Sequence, residues 1–152
     1  MSLAARAAAA LLLTAAITLP HGALAEAPQA PETAQAHAWT DVGPEAFADL
    51  VARGIPVIDV RTPEEWRETG IIPGAKTIMA FNEDGPVESF PDALLAAVPP
   101  GQPIAFYCRS GNRSAAVASF AMKRMGYTQV YNLEPGIKGW LKTGRPVTPW
   151  TE

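Results

Sequence analysis

The sequence predicts an α/β domain: a largely parallel sheet with helices on both faces. Three observations carry that expectation. Short apolar runs, among them "PVIDV" (56–60), "PIAFY" (103–107) and "QVYNL" (129–133), have the composition of buried strands. Segments of helical length and apolar spacing lie between them. Glycine and proline separate the two kinds of segment at the intervals of βαβ units.

Each element has its own signals. Gly43-Pro44 opens a helix, "PEAFADLVARG", with Phe47, Leu50 and Val51 on its apolar face and Gly54 as its stop. "PVIDV" is the first strand. In "TPEEW", Thr62 is the expected N-cap, Pro63 the first helical residue and Glu65 the partner in a capping box. "GIIPGAKTI" (70–78) gives a turn and a second strand. "FPDALLAAVPP" reads as a short helix closed by Pro99-Pro100. "PIAFY" is the third strand, "SAAVASFAMKRMG" a helix ending at Gly126, "QVYNL" the fourth strand and "GIKGWLKTG" a last short helix. In such sheets the ligand site lies beyond the carboxyl ends of the strands.

Length and charge bound the rest. A chain of 152 residues suffices for one domain with its own core. The net charge of −3 comes with scattered Lys and Arg and no basic block, which argues against nucleic acid as a partner. Residues 1–25 read as a signal peptide: Arg6 in a short n-region, an apolar run from Ala7 to Pro20, and an A-x-A close at Ala23-Leu24-Ala25. That run is shorter than the ~20 residues of a spanning helix, so no stable membrane anchor is expected after cleavage. The expected location is exported, periplasmic in a bacterium or secreted. Residues 26–38, rich in Ala, Pro, Gln and Glu, read as a flexible lead-in, and the domain is expected over 39–150.

The one cysteine, Cys108, is then the odd residue of an exported chain. It cannot form an internal disulfide, which leaves intermolecular pairing, a reactive thiol or an inert core residue. It falls just past the 103–107 strand and is followed by Arg109, Ser110, Gly111, Asn112, Arg113 and Ser114. Gly111 and Asn112 tolerate unusual backbone angles, so the loop can curl its N–H groups inward as an anion nest ahead of a helix N-terminus. Lowering a thiol pKa by two units takes ~2.7 kcal/mol. A helix terminus supplies only ~0.3–1 kcal/mol, whereas each hydrogen bond to a charged group supplies ~1.5–3 kcal/mol. The loop N–H groups must therefore do most of the activating. Of the two histidines, His21 lies in the leader and His37 in the lead-in, so a Cys–His dyad is not expected. One cysteine without clustered histidines gives no metal site, and no cofactor is implied.

The blocks "VIDVRTPEEW…GIIPGA", "YCRSGNRS" and "NLEPGIKGW…GRPV" resemble, in order and at the expected intervals, the three signature blocks of single-domain rhodaneses. The resemblance runs from Trp39 to Val147 and implies a rhodanese-like α/β fold with a mostly parallel sheet of about five strands. It implies that Cys108 accepts a sulfane sulfur from a small donor such as thiosulfate, becomes a persulfide, and passes the sulfur to cyanide or a thiol. A protein thiol is among the candidate acceptors. Arg109 and Arg113 could bind the donor's oxyanion. Two departures stand out. Ile71 occupies a place that usually carries histidine, and Pro135-Gly136 replaces a usual Gly-Gly.

Two other classes remain open. A persulfide carrier with little turnover needs the same thiolate. A cysteine phosphatase also uses a thiolate loop followed by arginine, but with five residues between them. Here Cys108 and Arg113 enclose four, and no context selects Asp84 or Asp92 as the required acid. Asp59 and Arg61, on the same strand edge, either shape the pocket rim or serve as a structural ion pair or cap, such as Arg61 with Glu65. Trp66, Trp140 and Phe120 are expected in the core, Lys123 and Arg124 on a solvated face. Ser114 can cap the following helix or donate to the anion.

Overall fold

A computed structural model describes residues 39–151; the signal-peptide reading of 1–25 and the flexible lead-in of 26–38 lie outside the described residues. Five parallel strands form one sheet in the order β1-β7-β6-β2-β3. They are β1 (Thr40–Val42), β2 (Val57–Asp59), β3 (Lys76–Thr77), β6 (Ile104–Tyr107) and β7 (Val130–Leu133). Between them run α1 (Pro44–Ala52), α2 (Pro63–Thr69), α3 (Phe90–Ala97) and α4 (Asn112–Met125), and α5 (Gly136–Lys142) follows β7. A small antiparallel hairpin, β4 (Phe81–Asn82) and β5 (Gly85–Pro86), precedes α3.

The helix ends follow the sequence signals. Pro44 is the first residue of α1, where its missing N–H costs nothing. Thr62 Oγ1 accepts from the Glu65 N–H, and Glu65 Oε2 accepts from the Thr62 N–H, completing the expected capping box of α2. Gly126, at φ +80°, closes α4 in the left-handed conformation that glycine adopts without steric penalty.

Strand alternation sorts the core into two clusters. Ile104 and Phe106 of β6 join Ile58, Phe90, Leu94, Val117 and Ala118, the side covered by α3 and α4. Ala105 and Tyr107 join Phe47, Leu50, Ile137 and Trp140, the side covered by α1 and α5. Phe47 packs edge-on against both Tyr107 and Trp140 at 6.2 and 6.3 Å. The period of two carries one residue further: Cys108 belongs with Ile104 and Phe106, on the α4 side.

The 70–78 segment gives the expected turn and second strand; β3 is only two residues long, with Ile71 and Ile72 engaged elsewhere. The Ile71 N–H and carbonyl both pair with Thr148, which anchors this segment without the histidine of the usual pattern. The helix after the cysteine loop begins at Asn112 with Gly111 as N-cap, so Ser114 lies in its first turn and is not the cap. Phe120 is not in the core; it is 40% exposed on α4, whereas Trp66 and Trp140 are buried. β1 and the hairpin were not expected at all.

Candidate active site

β6 is the middle strand of the sheet, and Cys108 is the first residue beyond its carboxyl end. The sulfur is buried, at 1% exposure. The next three residues turn back to start α4, and their peptide orientations follow from where the carbonyls go. The Cys108 and Arg109 carbonyls accept from the N–H groups of Ile137 and Lys138 in the first turn of α5, at 2.9 and 3.2 Å. With the Arg109 carbonyl drawn toward α5, the Ser110 N–H of the same peptide faces the other way, toward the sulfur. Gly111, at φ +99°, makes the turn, and its N–H donates to Cys108 Sγ at 3.2 Å. The Ser114 hydroxyl lies 3.4 Å from Sγ as a further donor.

This setting shifts the thiol toward its charged form. Burial pushes the Cys108 pKa up, but the Ser114 hydroxyl and the N–H groups of Ser114, Ser110 and Gly111 outweigh it, and the net direction is down. Donors to a developing thiolate thus outweigh its desolvation, the Ser114 hydroxyl first and the backbone N–H groups after it.

Close approach of α5 is possible only because residue 136 is glycine. A Cβ there would lie 2.6 Å from the Arg109 carbonyl and the Ser110 nitrogen, and the backbone stands at φ +73°. The Pro135 ring lies over Gly139, where a Cβ would meet it at 2.5 Å.

The arginines differ. Arg113 Nη2 is bound to Glu65 Oε1 at 2.6 Å, tying the first turn of α4 to α2, while Cys108 still contributes to holding its guanidinium charged. Glu65, despite partial burial, is held below the usual carboxylate range by Arg113 and by the Thr62 N–H. Arg109 is exposed, as are Ser110 and Asn112. Arg61 is buried and pairs with Asp59, both of whose oxygens it reaches at 2.6–3.0 Å. It also donates to the Glu65 carbonyl, Thr69 Oγ1 and the Gly70 carbonyl. The expected Arg61–Glu65 pair is therefore made to the backbone of Glu65, whose carboxylate serves Arg113. Arg61 and Arg109, with Ile137 and Lys138, line a cavity of about 90 Å³ beside the loop. Asp59 is wholly buried behind Arg61.

Comparison with known proteins decides the family: the model of the rhodanese-like domain matches residues 43–143. The chain belongs to the rhodanese-like family. A sulfurtransferase of Allochromatium vinosum is 33% identical over 91 residues, covering 60% of this chain and 76% of that protein. The rhodanese domain-containing protein CG4456 of Drosophila melanogaster is 40% identical over 91 residues, covering 55% and 79%. Among solved structures, Rv0390 of Mycobacterium tuberculosis superposes with TM-score 0.61 at 28% identity, over 72% of this chain and 96% of that one.

Sequence reasoning missed the partners that hold this rhodanese loop. Glu65 was read only as a cap or a mate for Arg61, although it also binds Arg113 48 residues away. The α5 amides of Ile137 and Lys138 carry no side-chain signal. Gly136 carries only the general signal that glycine leaves room for another backbone to approach.

Proposed function

We propose that this rhodanese-like protein is a sulfurtransferase working through a Cys108 persulfide. The Cys108 thiolate attacks the outer sulfur of an anionic sulfane donor such as thiosulfate. The new S–S bond forms as the donor's S–S bond breaks, and sulfite leaves with the bond's electron pair. The acceptor, cyanide or a thiolate, then attacks the outer persulfide sulfur, becomes thiocyanate or a new persulfide, and returns the thiolate. Neither step needs a protonating acid when sulfite leaves and cyanide attacks. Arg109 and Arg113 bind the donor's oxyanion, and Ser110, Gly111, Asn112 and Ser114 form the cradle for the anionic sulfur.

The observation that carries this reading is that the loop closes on the sulfur itself. Gly111 N–H at 3.2 Å and the Ser114 hydroxyl at 3.4 Å contact Sγ directly, in a loop with four residues between Cys108 and Arg113. Such a cradle suits one added sulfur better than a tetrahedral phosphoryl group. The relationship to the A. vinosum sulfurtransferase supports the same chemistry. The leader pattern of residues 1–25 supports export, with a mature start near Glu26.

The test is steady-state turnover of thiosulfate and cyanide. Thiocyanate and sulfite should appear in equal amounts, and neither should form with Cys108→Ser. Aryl-phosphate hydrolysis dependent on Cys108 and Arg113, without thiocyanate formation, would replace this reading by a phosphatase. A stoichiometric persulfide without turnover would narrow it to a carrier.

A further inference from the structure

Asn132 is a buried polar residue in β7, at 2% exposure, beside the strand that carries Cys108. Its Nδ2 donates to Asp41 Oδ1 at 2.7 Å and to the Gly111 carbonyl at 3.3 Å. Its Oδ1 has no hydrogen-bond partner among the described residues. A buried carboxamide with one end unsatisfied is unfavourable for stability, so what its other end does calls for an explanation. Asp41 also accepts from Trp39 Nε1 at 2.9 Å on the same Oδ1, which fixes the carboxylate that orients Asn132.

The Gly111 carbonyl is where this network meets the cysteine. Three donors compete for it: the Ala115 N–H at 2.9 Å, the Ser114 hydroxyl at 3.0 Å and Asn132 Nδ2 at 3.3 Å. A carbonyl oxygen has two lone pairs. The Ala115 N–H belongs to the helix ladder and has nowhere else to go. The Ser114 hydroxyl has one hydrogen and a second acceptor, Cys108 Sγ, at 3.4 Å. If Ala115 and Asn132 fill the carbonyl, the serine hydrogen is left for the sulfur.

We infer that Asn132, oriented by Asp41, is a positioning residue for the cysteine: by occupying the Gly111 carbonyl it turns the Ser114 hydroxyl onto Cys108 Sγ. This rests on Cys108 acting as a thiolate, part of the proposed sulfur transfer, but not on any particular donor or acceptor. Without Asn132, the Ser114 hydrogen returns to Gly111 and the sulfur loses a donor that it has in the native loop. Arg113, the charged side chain whose interaction includes Cys108, is held by Glu65 and is not part of this network.

The test is the pH profile of Cys108 alkylation by iodoacetamide in the full chain, with no sulfane donor present. Asn132→Leu should raise the thiol pKa by about one unit, as loss of one hydrogen bond to a charged group implies. Ser114→Ala should raise it by a similar amount, and the double variant should rise no further than either alone. Additive shifts, or an unshifted Asn132→Leu profile, would overturn the inference. Should Asn132→Leu not fold, Asp41→Ala at an exposed strand position carries the test. It should raise the pKa in the same direction by less, and an unchanged profile would overturn the inference equally. Native thiocyanate formation separates the two questions: its absence would count against sulfur transfer while leaving the alkylation result intact.

Discussion

The ends of β2 and β6 are neighbours on one sheet edge, yet they treat their polar groups in opposite ways. At the end of β2, Arg61 spends its donors on Asp59, Thr69 and the carbonyls of Glu65 and Gly70, and the charge is fully matched. At the end of β6, several donors converge on one sulfur. The first arrangement is satisfied as it stands and joins β2 to α2. The second suits a sulfur that carries negative charge, as the proposed transfer requires. Stability is invested at one strand end and reactivity at the other.

The largest expected effect breaks the contrast outright. Cys108→Ser should abolish sulfur transfer while moving the unfolding free energy by no more than ~1 kcal/mol. Asp59→Ala should do the reverse. It leaves the Arg61 guanidinium buried without its carboxylate, at a cost of about 3–5 kcal/mol in a denaturant melt, and any activity lost should track the fraction unfolded. Equal stability losses for the two variants would erase the distinction.

Gly136→Ala comes next, since it acts on the loop without touching a polar group. The added methyl meets the Arg109–Ser110 peptide at 2.6 Å. Stability should fall by roughly 1–3 kcal/mol, and Cys108 alkylation at neutral pH should slow as the loop N–H groups move off the sulfur. Glu65→Gln should be milder, about 0.5–1 kcal/mol, because the Arg113 pair is partly exposed. Its sharper readout is a raised KM for thiosulfate with a smaller change in kcat, as Arg113 loses its tether.

The smallest effect is a pH dependence whose sign is fixed. The folded thiol pKa lies below the unfolded one, so the stabilisation it brings is present in full above the unfolded value. It is lost as pH falls through the folded value. Stability of the wild type should therefore rise with pH between the two relative to Cys108→Ser, and the alkylation rate should level off before the ordinary thiol pKa. Glu65, also held low, loses its contribution as pH falls through its own depressed pKa, in the acid range.

What was legible in the sequence was what local chemistry dictates. The β2, β6 and β7 runs, the Thr62–Glu65 capping box and the Gly126 stop each depend on residues a few positions apart, and the structure has them all. The place of Cys108 followed from the strand before it. β1 was not legible because Thr40–Val42 is short and mostly exposed, and only its pairing with β7 makes it a strand. The hairpin was overlooked although Asn82 and Gly85 flank its turn, where Asn82 Oδ1 accepts from the Asp84 N–H. Phe120 was misplaced because helical spacing does not say how wide the covered face of α4 is. The Glu65–Arg113 and Asn132–Gly111 contacts join segments 48 and 21 residues apart, and such pairings exist only once the sheet order is known.

The central claim is that Cys108 takes up one sulfur atom and holds it as a persulfide. Intact mass after thiosulfate treatment tests it most directly. The account predicts a gain of one sulfur, removed by cyanide with release of thiocyanate and absent in Cys108→Ser. An unchanged mass after thiosulfate, polysulfide and persulfidated thiols alike would contradict it.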